Sequence, residues 1–262
     1  AKAAVGLDPS LAGAHIILAE SLVRLKSPDA VGAAQAAAAA VPDNPAAHRA
    51  LGDALVAADR AADAEAPLRR AIELDPKLVA AHVQLTMILQ ARGDVDGVIA
   101  SATRVIDLEP SRTEMFALRG RANLTKGQAD AALRDLHAAA AAGSKDATLH
   151  LAIAKMHHDG RQLDLAAQYY QSATQLDGQL ADAWLGLSEV HVARNDFASA
   201  REPITRAVGV APGKANAQYL LGLLREQEQQ YDAALEALAK AIGIDATLSG
   251  AYHAQGRLLR TH

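Results

Sequence analysis

The feature that most constrains this chain is a short segment that recurs every 34 residues. The string RRAIELDP at 69–76 is followed at this spacing by TRVIDLEP at 103–110, and farther on by QSATQLDG (171–178), TRAVGVAP (205–212) and AKAIGIDA (239–246). A fixed period of this length is typical of arrays in which each repeat is one supersecondary unit stacked on its neighbours. The sequence therefore predicts an elongated repeat protein, although 262 residues would also suffice for one or two globular domains.

Each repeat has the pattern of two amphipathic helices. In residues 45–78, apolar side chains recur at spacings of three and four, as at Leu51 and Leu55 and again at Leu68 and Ile72. A short break separates the two halves, and equivalent breaks elsewhere carry Gly160 or Asn195. We expect these Gly and Asn residues to adopt the left-handed conformation that ends a helix. The predicted fold is all-α, built from helix hairpins.

The composition favours close helix packing. Hydrophobic residues make up 50% of the chain but aromatic residues only 3%, and alanine is abundant. Small side chains let helices approach closely, and substitution by a larger residue there would overpack the interface. Alanine recurs at one position of successive repeats: Ala64, Ala132, Ala166, Ala200 and Ala234.

Charge and cysteine content exclude several classes of protein. The net charge of −4 argues against a general nucleic-acid binder, which would carry a basic face. With no cysteine, the chain has no disulfide, thiolate metal site or thiol nucleophile. No apolar run approaches the length of a membrane span. We expect a soluble piece of a longer protein, in a bacterial cytoplasm or periplasm.

The ten histidines do not form a metal-binding motif. His48, His82 and His150 fall at the fourth position of their repeats, where Phe116 and Trp184 stand in others, so we interpret them as packing residues. No HExxH spacing, nucleophile elbow or glycine-rich phosphate loop is present. The sequence predicts no catalytic residue, no metal site and no cofactor, and hence no enzyme.

The repeats resemble the tetratricopeptide repeat (TPR) family. Residues 45–78 match the pattern of that family through Leu51, Gly52, Leu55, Ala64, Leu68, Ala71 and Pro76. Residues 113–146 depart from it, with Arg119 and Asn123 where a leucine and a large residue are expected. The resemblance implies a right-handed superhelical solenoid of helix hairpins, with seven full repeats and a partial repeat at each end.

The predicted organisation is a single array over residues 1–262. Residues 1–11 would be the end of a preceding repeat, and 249–262 the first helix of a further one. The full repeats are 12–44, 45–78, 79–112, 113–146, 147–180, 181–214 and 215–248.

The resemblance also implies a concave groove lined mainly by the first helix of each repeat. Carrying the recognition positions of the family onto this chain predicts these groove residues: Arg49, Asp53, Val83, Met87, Gln90, Arg121, Lys155, His158, Leu185, Glu189, Tyr219 and Leu223. Arg121 and Lys155 hold the same position in adjacent repeats. They are predicted to form a positive spot suited to an acidic side chain or a carboxylate.

The leading hypothesis is a non-catalytic scaffold that holds a partner protein or peptide in this groove. One alternative is a periplasmic TPR scaffold of a bacterial exopolysaccharide secretion machine. Another is the TPR region of a larger transferase. Apolar faces exposed at the two ends are also expected to permit self-association.

Overall fold

The computed structural model describes residues 12–261, which form fifteen α-helices and no strand. The all-α prediction is confirmed. The predicted end of a preceding repeat, residues 1–11, lies outside the described residues. The chain divides into two compact units at Ala139, within the last turn of the eighth helix. Each unit is described by itself, and the single continuous array remains a prediction.

The first unit contains four pairs of helices. They are α1 (Ala12–Arg24), α2 (Ala30–Ala40), α3 (Pro45–Ala57), α4 (Ala61–Leu74), α5 (Val79–Arg92), α6 (Val95–Leu108), α7 (Thr113–Thr125) and α8 (Ala129–Ala141).

The second unit contains three pairs and one further helix. They are α9 (Ala147–Asp159), α10 (Leu163–Leu176), α11 (Ala181–Ala193), α12 (Phe197–Val210), α13 (Ala215–Gln227), α14 (Tyr231–Ile244) and α15 (Ser249–Thr261). From α3 onward, the first helix of each pair begins 34 residues after the previous one.

The turns inside the hairpins end each first helix with one residue in the left-handed conformation. Asn195 has the expected positive φ, 58°. In the preceding hairpin the expectation for Gly160 was wrong, because its φ is −77° and Arg161 has the positive φ of 59°. The N–H of Gly160 still donates to the carbonyl of Met156, 3.1 Å away, so the helical turn continues for one more residue.

Small residues fill the helix interfaces within each unit. The recurring alanines are fully buried, each with 0% of its surface exposed: Ala64, Ala132, Ala166, Ala200 and Ala234. In the first unit Ala64 packs in a core cluster with Leu55 and Leu68, and in the second Ala166 packs with Tyr170 and Leu187. The interfaces therefore have no free space for a longer side chain at these positions.

The fourth position of the repeat ties five of the hairpins to the loop before them. In five repeats a side-chain N–H at this position bonds to the backbone carbonyl six residues earlier. The pairs are His48 with Pro42, His82 with Pro76, His150 with Ser144, Trp184 with Gly178 and Gln218 with Pro212. Since a carbonyl only accepts, each histidine must carry its proton on Nε2 here. These histidines hold loops in place.

The departure of residues 113–146 from the repeat pattern is explained by a polar network between α7 and α8. Arg119 donates from Nε and Nη2 to the two carboxylate oxygens of Asp135, each at 2.8 Å. Its Nη1 donates to Thr103 at 3.0 Å, and Asn123 donates to Asp135 at 3.4 Å. The side chain of Asp135 is 8% exposed and that of Arg119 20%. A buried network of hydrogen bonds around Asp135 thus replaces the apolar contact that the family pattern predicts.

Candidate functional site

In the first unit, two predicted groove residues, Arg49 and Asp53, belong to a three-residue charge cluster. Arg49 on α3 forms ion pairs with Glu20 on α1 and with Asp53 one turn farther along α3. Burial raises the pKa of Asp53, and the neighbouring charge of Arg49 opposes that shift. One arginine is therefore shared by two half-buried carboxylates, and no cationic surface remains at this place.

The other groove residues of the first unit have different degrees of exposure. Met87 on α5 is 48% exposed and Gln90 is exposed, so both are available to a ligand. Val83 is half-buried against a cluster that includes Val105, and Arg121 on α7 is half-buried.

The second unit contains a pocket of about 400 Å³. Its wall comes from helices α9, α10, α11 and α13 and from the residues that flank α13 and α14. The lining residues are Lys155, Tyr170, Asp182, Leu185, Gly186, Glu189, Lys214, Ala215, Asn216 and Asp245. Three predicted groove residues, Lys155, Leu185 and Glu189, are therefore brought together in one cavity.

Two lysines of this pocket share one carboxylate. Lys155 on α9 reaches Asp182 at 3.3 Å, and Lys214, just before α13, binds the other oxygen of the same carboxylate. The hydrogen bond from Lys214 lowers the pKa of Asp182. Lys155 was predicted to offer positive charge to a ligand, but in the structure its ammonium is paired within the chain. The proposed spot formed with Arg121 joins residues of different units and remains a prediction.

Glu189 is the carboxylate of the pocket without a direct partner. It lies half-buried on α11, and within residues 12–261 its side chain makes no hydrogen bond or ion pair. Burial raises its pKa, opposed by the charges of His158 and Lys155 on α9. A carboxylate in a cleft whose pKa is shifted by burial is a candidate for a functional residue.

Tyr170 reaches the pocket because Gly186 has no side chain. A Cβ at Gly186 would lie 2.2 Å from Cζ of Tyr170, so only glycine permits this ring to cross α11. The ring is 2% exposed, and its hydroxyl lies 3.3 Å from Nδ1 of His158. The groove prediction missed both residues. The sequence did contain a signal for both residues. No other repeat has a tyrosine at the position of Tyr170, and no other repeat has a glycine at the position of Gly186.

The remaining predicted groove residues lie near the pocket but do not line it. Tyr219 and Leu223 on α13 are half-buried against the cluster of Leu238 and Leu258. His158 packs edge-on against Tyr170, with ring centroids 6.0 Å apart. The described residues contain no group of three or more His, Asp or Glu side chains placed to hold a metal ion. Within the same part of the chain, no helix is long and apolar enough to cross a membrane.

Comparison with known proteins identifies the repeat. Residues 22–78, 117–181 and 185–249 match the family model described as Tetratricopeptide repeat. No curated protein sequence matches the chain.

Solved structures are similar in fold at low sequence identity. The crystal structure of YrrB, a TPR protein with an unusual peptide-binding site, is 21% identical, with a TM-score of 0.64 over 72% of this chain and 97% of YrrB. The C-terminal part of a TPR repeat-containing protein from Cytophaga hutchinsonii is 13% identical, with a TM-score of 0.65 over 91% of this chain and 98% of that one. The pilF protein of Pseudomonas aeruginosa is 14% identical, with a TM-score of 0.60 over 81% and 97%.

Proposed function

The chain belongs to the tetratricopeptide repeat family, and from that premise we propose that it is a non-catalytic scaffold that binds an extended peptide segment of a partner protein along its first helices. Proteins of this family are generally interaction scaffolds. The contact residues in this proposal are the twelve groove positions predicted from the sequence and, in the second unit, the other residues that line the pocket.

The observation that carries the proposal is the pocket between α9, α11 and α13. It is open to solvent, has about 400 Å³ of space, and combines apolar walls with charged groups. Concave sites with a few convergent polar groups are the usual binding sites of proteins. The similar fold of YrrB, which is described by its peptide-binding site, supports a peptide as the ligand class.

The proposal is tested by selecting random peptides that bind the wild-type chain and measuring their affinities for variants. Ala215→Arg and Asn216→Arg change the pocket, because both residues line it and a long cationic side chain at either place would occupy its space. Lys240→Glu is the matched control, since this exposed lysine of α14 lies outside the pocket and pairs with Glu236. Circular dichroism would confirm equal helical content in all variants.

We expect both pocket variants to weaken the selected peptides by about tenfold or more, as for residues central to an interface. The control is expected to bind as wild type does. Peptides that bind all four proteins equally, or a failure to select any binding peptide, would contradict the proposal.

A further inference from the structure

Every charged side chain that lines the second-unit pocket, except one, has an ion-pair or hydrogen-bond partner within the described chain. Lys155 and Lys214 are both held by Asp182. Asp245 accepts hydrogen bonds from the backbone and the hydroxyl of Thr247, at 2.8 and 2.7 Å. Within the described chain, the Glu189 carboxylate has no such partner.

We propose that Glu189 binds the ammonium or guanidinium group of a lysine or arginine side chain of the bound peptide. This inference rests on the proposed peptide-binding function and specifies the chemistry of the ligand at one place. It differs from the sequence-based prediction for this groove, which favoured an acidic group beside Lys155.

The electrostatic reason is that a carboxylate loses hydration when it is buried, and recovers that free energy only through hydrogen bonds or an opposite charge. The groups that face Glu189 are His158 and Lys155 of α9 and Asp182 of its own helix. Of these, Lys155 is already directed to Asp182. An incoming cation would give Glu189 the charge-assisted hydrogen bond that the chain itself does not supply.

The shape of the pocket fits a long basic side chain. Leu185, 8% exposed, and Ala215 contribute apolar lining, and the aromatic ring of Tyr170 lines the same pocket. Lysine and arginine carry apolar stems that pack on apolar lining such as Leu185 and Ala215 while the charged end reaches a polar partner. An acidic side chain in the same place would meet the unpaired Glu189 carboxylate and be repelled.

The test uses random-peptide selection on the wild-type chain and on Glu189→Gln, which keeps the size of the side chain and removes the charge. Glu202→Gln is the matched control, since Glu202 is an exposed glutamate of α12 outside this pocket. Selected peptides would then be resynthesised with citrulline in place of arginine. A third variant, Glu189→Lys, would be measured against the wild-type peptides and against versions with glutamate at the basic position.

The expected result is a lysine or arginine at a fixed position of the peptides selected by the wild type and by Glu202→Gln. Glu189→Gln and the citrulline peptide should each weaken binding by about tenfold or more. Glu189→Lys should prefer the glutamate-containing peptide, which a mere loss of folding would not produce.

Peptides that depend on Ala215 and Asn216 but show no basic position, or that bind Glu189→Gln as well as wild type, would overturn this inference and leave the proposed function standing. A selection that yields no groove-dependent peptide would overturn both.

Discussion

Arg119 provides a stringent test of the packing argument, because the family pattern and the structure predict opposite results. The family pattern has leucine at this position, and a consensus substitution commonly stabilises a protein. In the structure, Arg119→Leu would remove both 2.8 Å hydrogen bonds to Asp135, whose side chain is only 8% exposed. The substitution should therefore destabilise the first unit.

The magnitude follows from two opposing terms. Breaking a buried ion pair by removing one partner costs about 3–5 kcal/mol. Burying a leucine recovers about 1.5–3 kcal/mol, leaving a net loss of about 2 kcal/mol. Removing the stranded carboxylate as well, in Arg119→Leu with Asp135→Ala, should recover most of this loss, because the buried charge is then gone and only the longer 3.4 Å hydrogen bond from Asn123 is lost with it.

The assay is urea unfolding followed by circular dichroism, with hydrogen exchange at α7 and α8 to locate the change, since repeat arrays do not always unfold in a single step. Arg134→Leu, at an exposed position beside Asp135 on α8, is the control and should change stability by less than about 0.5 kcal/mol. An Arg119→Leu protein at least as stable as wild type, or a double variant less stable than the single one, would refute the argument.

Three further substitutions test other contacts by thermal unfolding. Gly186→Ala should destabilise the second unit by about 1–3 kcal/mol, because the new Cβ would clash with the buried Tyr170 ring. Gly256→Ala should stabilise the unit by up to about 1 kcal/mol, since no atom lies within 4 Å of the new Cβ and alanine favours a helix. Equal melting temperatures of the two variants would contradict this. Burial lowers the pKa of His82 from its ordinary 6.5, so its contribution to stability is present above that pH and lost below it. In His82→Gln the amide can donate to the Pro76 carbonyl, as the amide of Gln218 does to the Pro212 carbonyl in its own repeat. This variant should lose less stability than wild type between about pH 7 and about pH 5, because glutamine does not titrate. Parallel pH profiles of the two proteins would exclude this role of His82.

Much of the fold could be predicted because its determinants are local. The 34-residue period and the three-and-four spacing of apolar residues place each helix and its buried face. The fourth-position histidines were correctly interpreted as structural, since other packing residues occupy their place in sister repeats. Their loop hydrogen bonds, six residues back, required the structure.

The candidate site depended on contacts that a repeat pattern does not encode. The pattern identified Lys155 and Glu189 as groove residues, but whether each has an ion-pair partner depends on side chains in other hairpins. Asp182 pairs with Lys155 across 27 residues and with Lys214 across 32. Tyr170 enters the pocket only because the residue facing it in the next hairpin is Gly186.

The sequence alone therefore determined the repeat, its helices and the face on which a ligand is expected, because these follow from periodicity along the chain. Only the tertiary structure decided which charges on that face remain available. Ion pairing and steric exclusion depend on distances between side chains of neighbouring hairpins, and those distances are set when the hairpins pack.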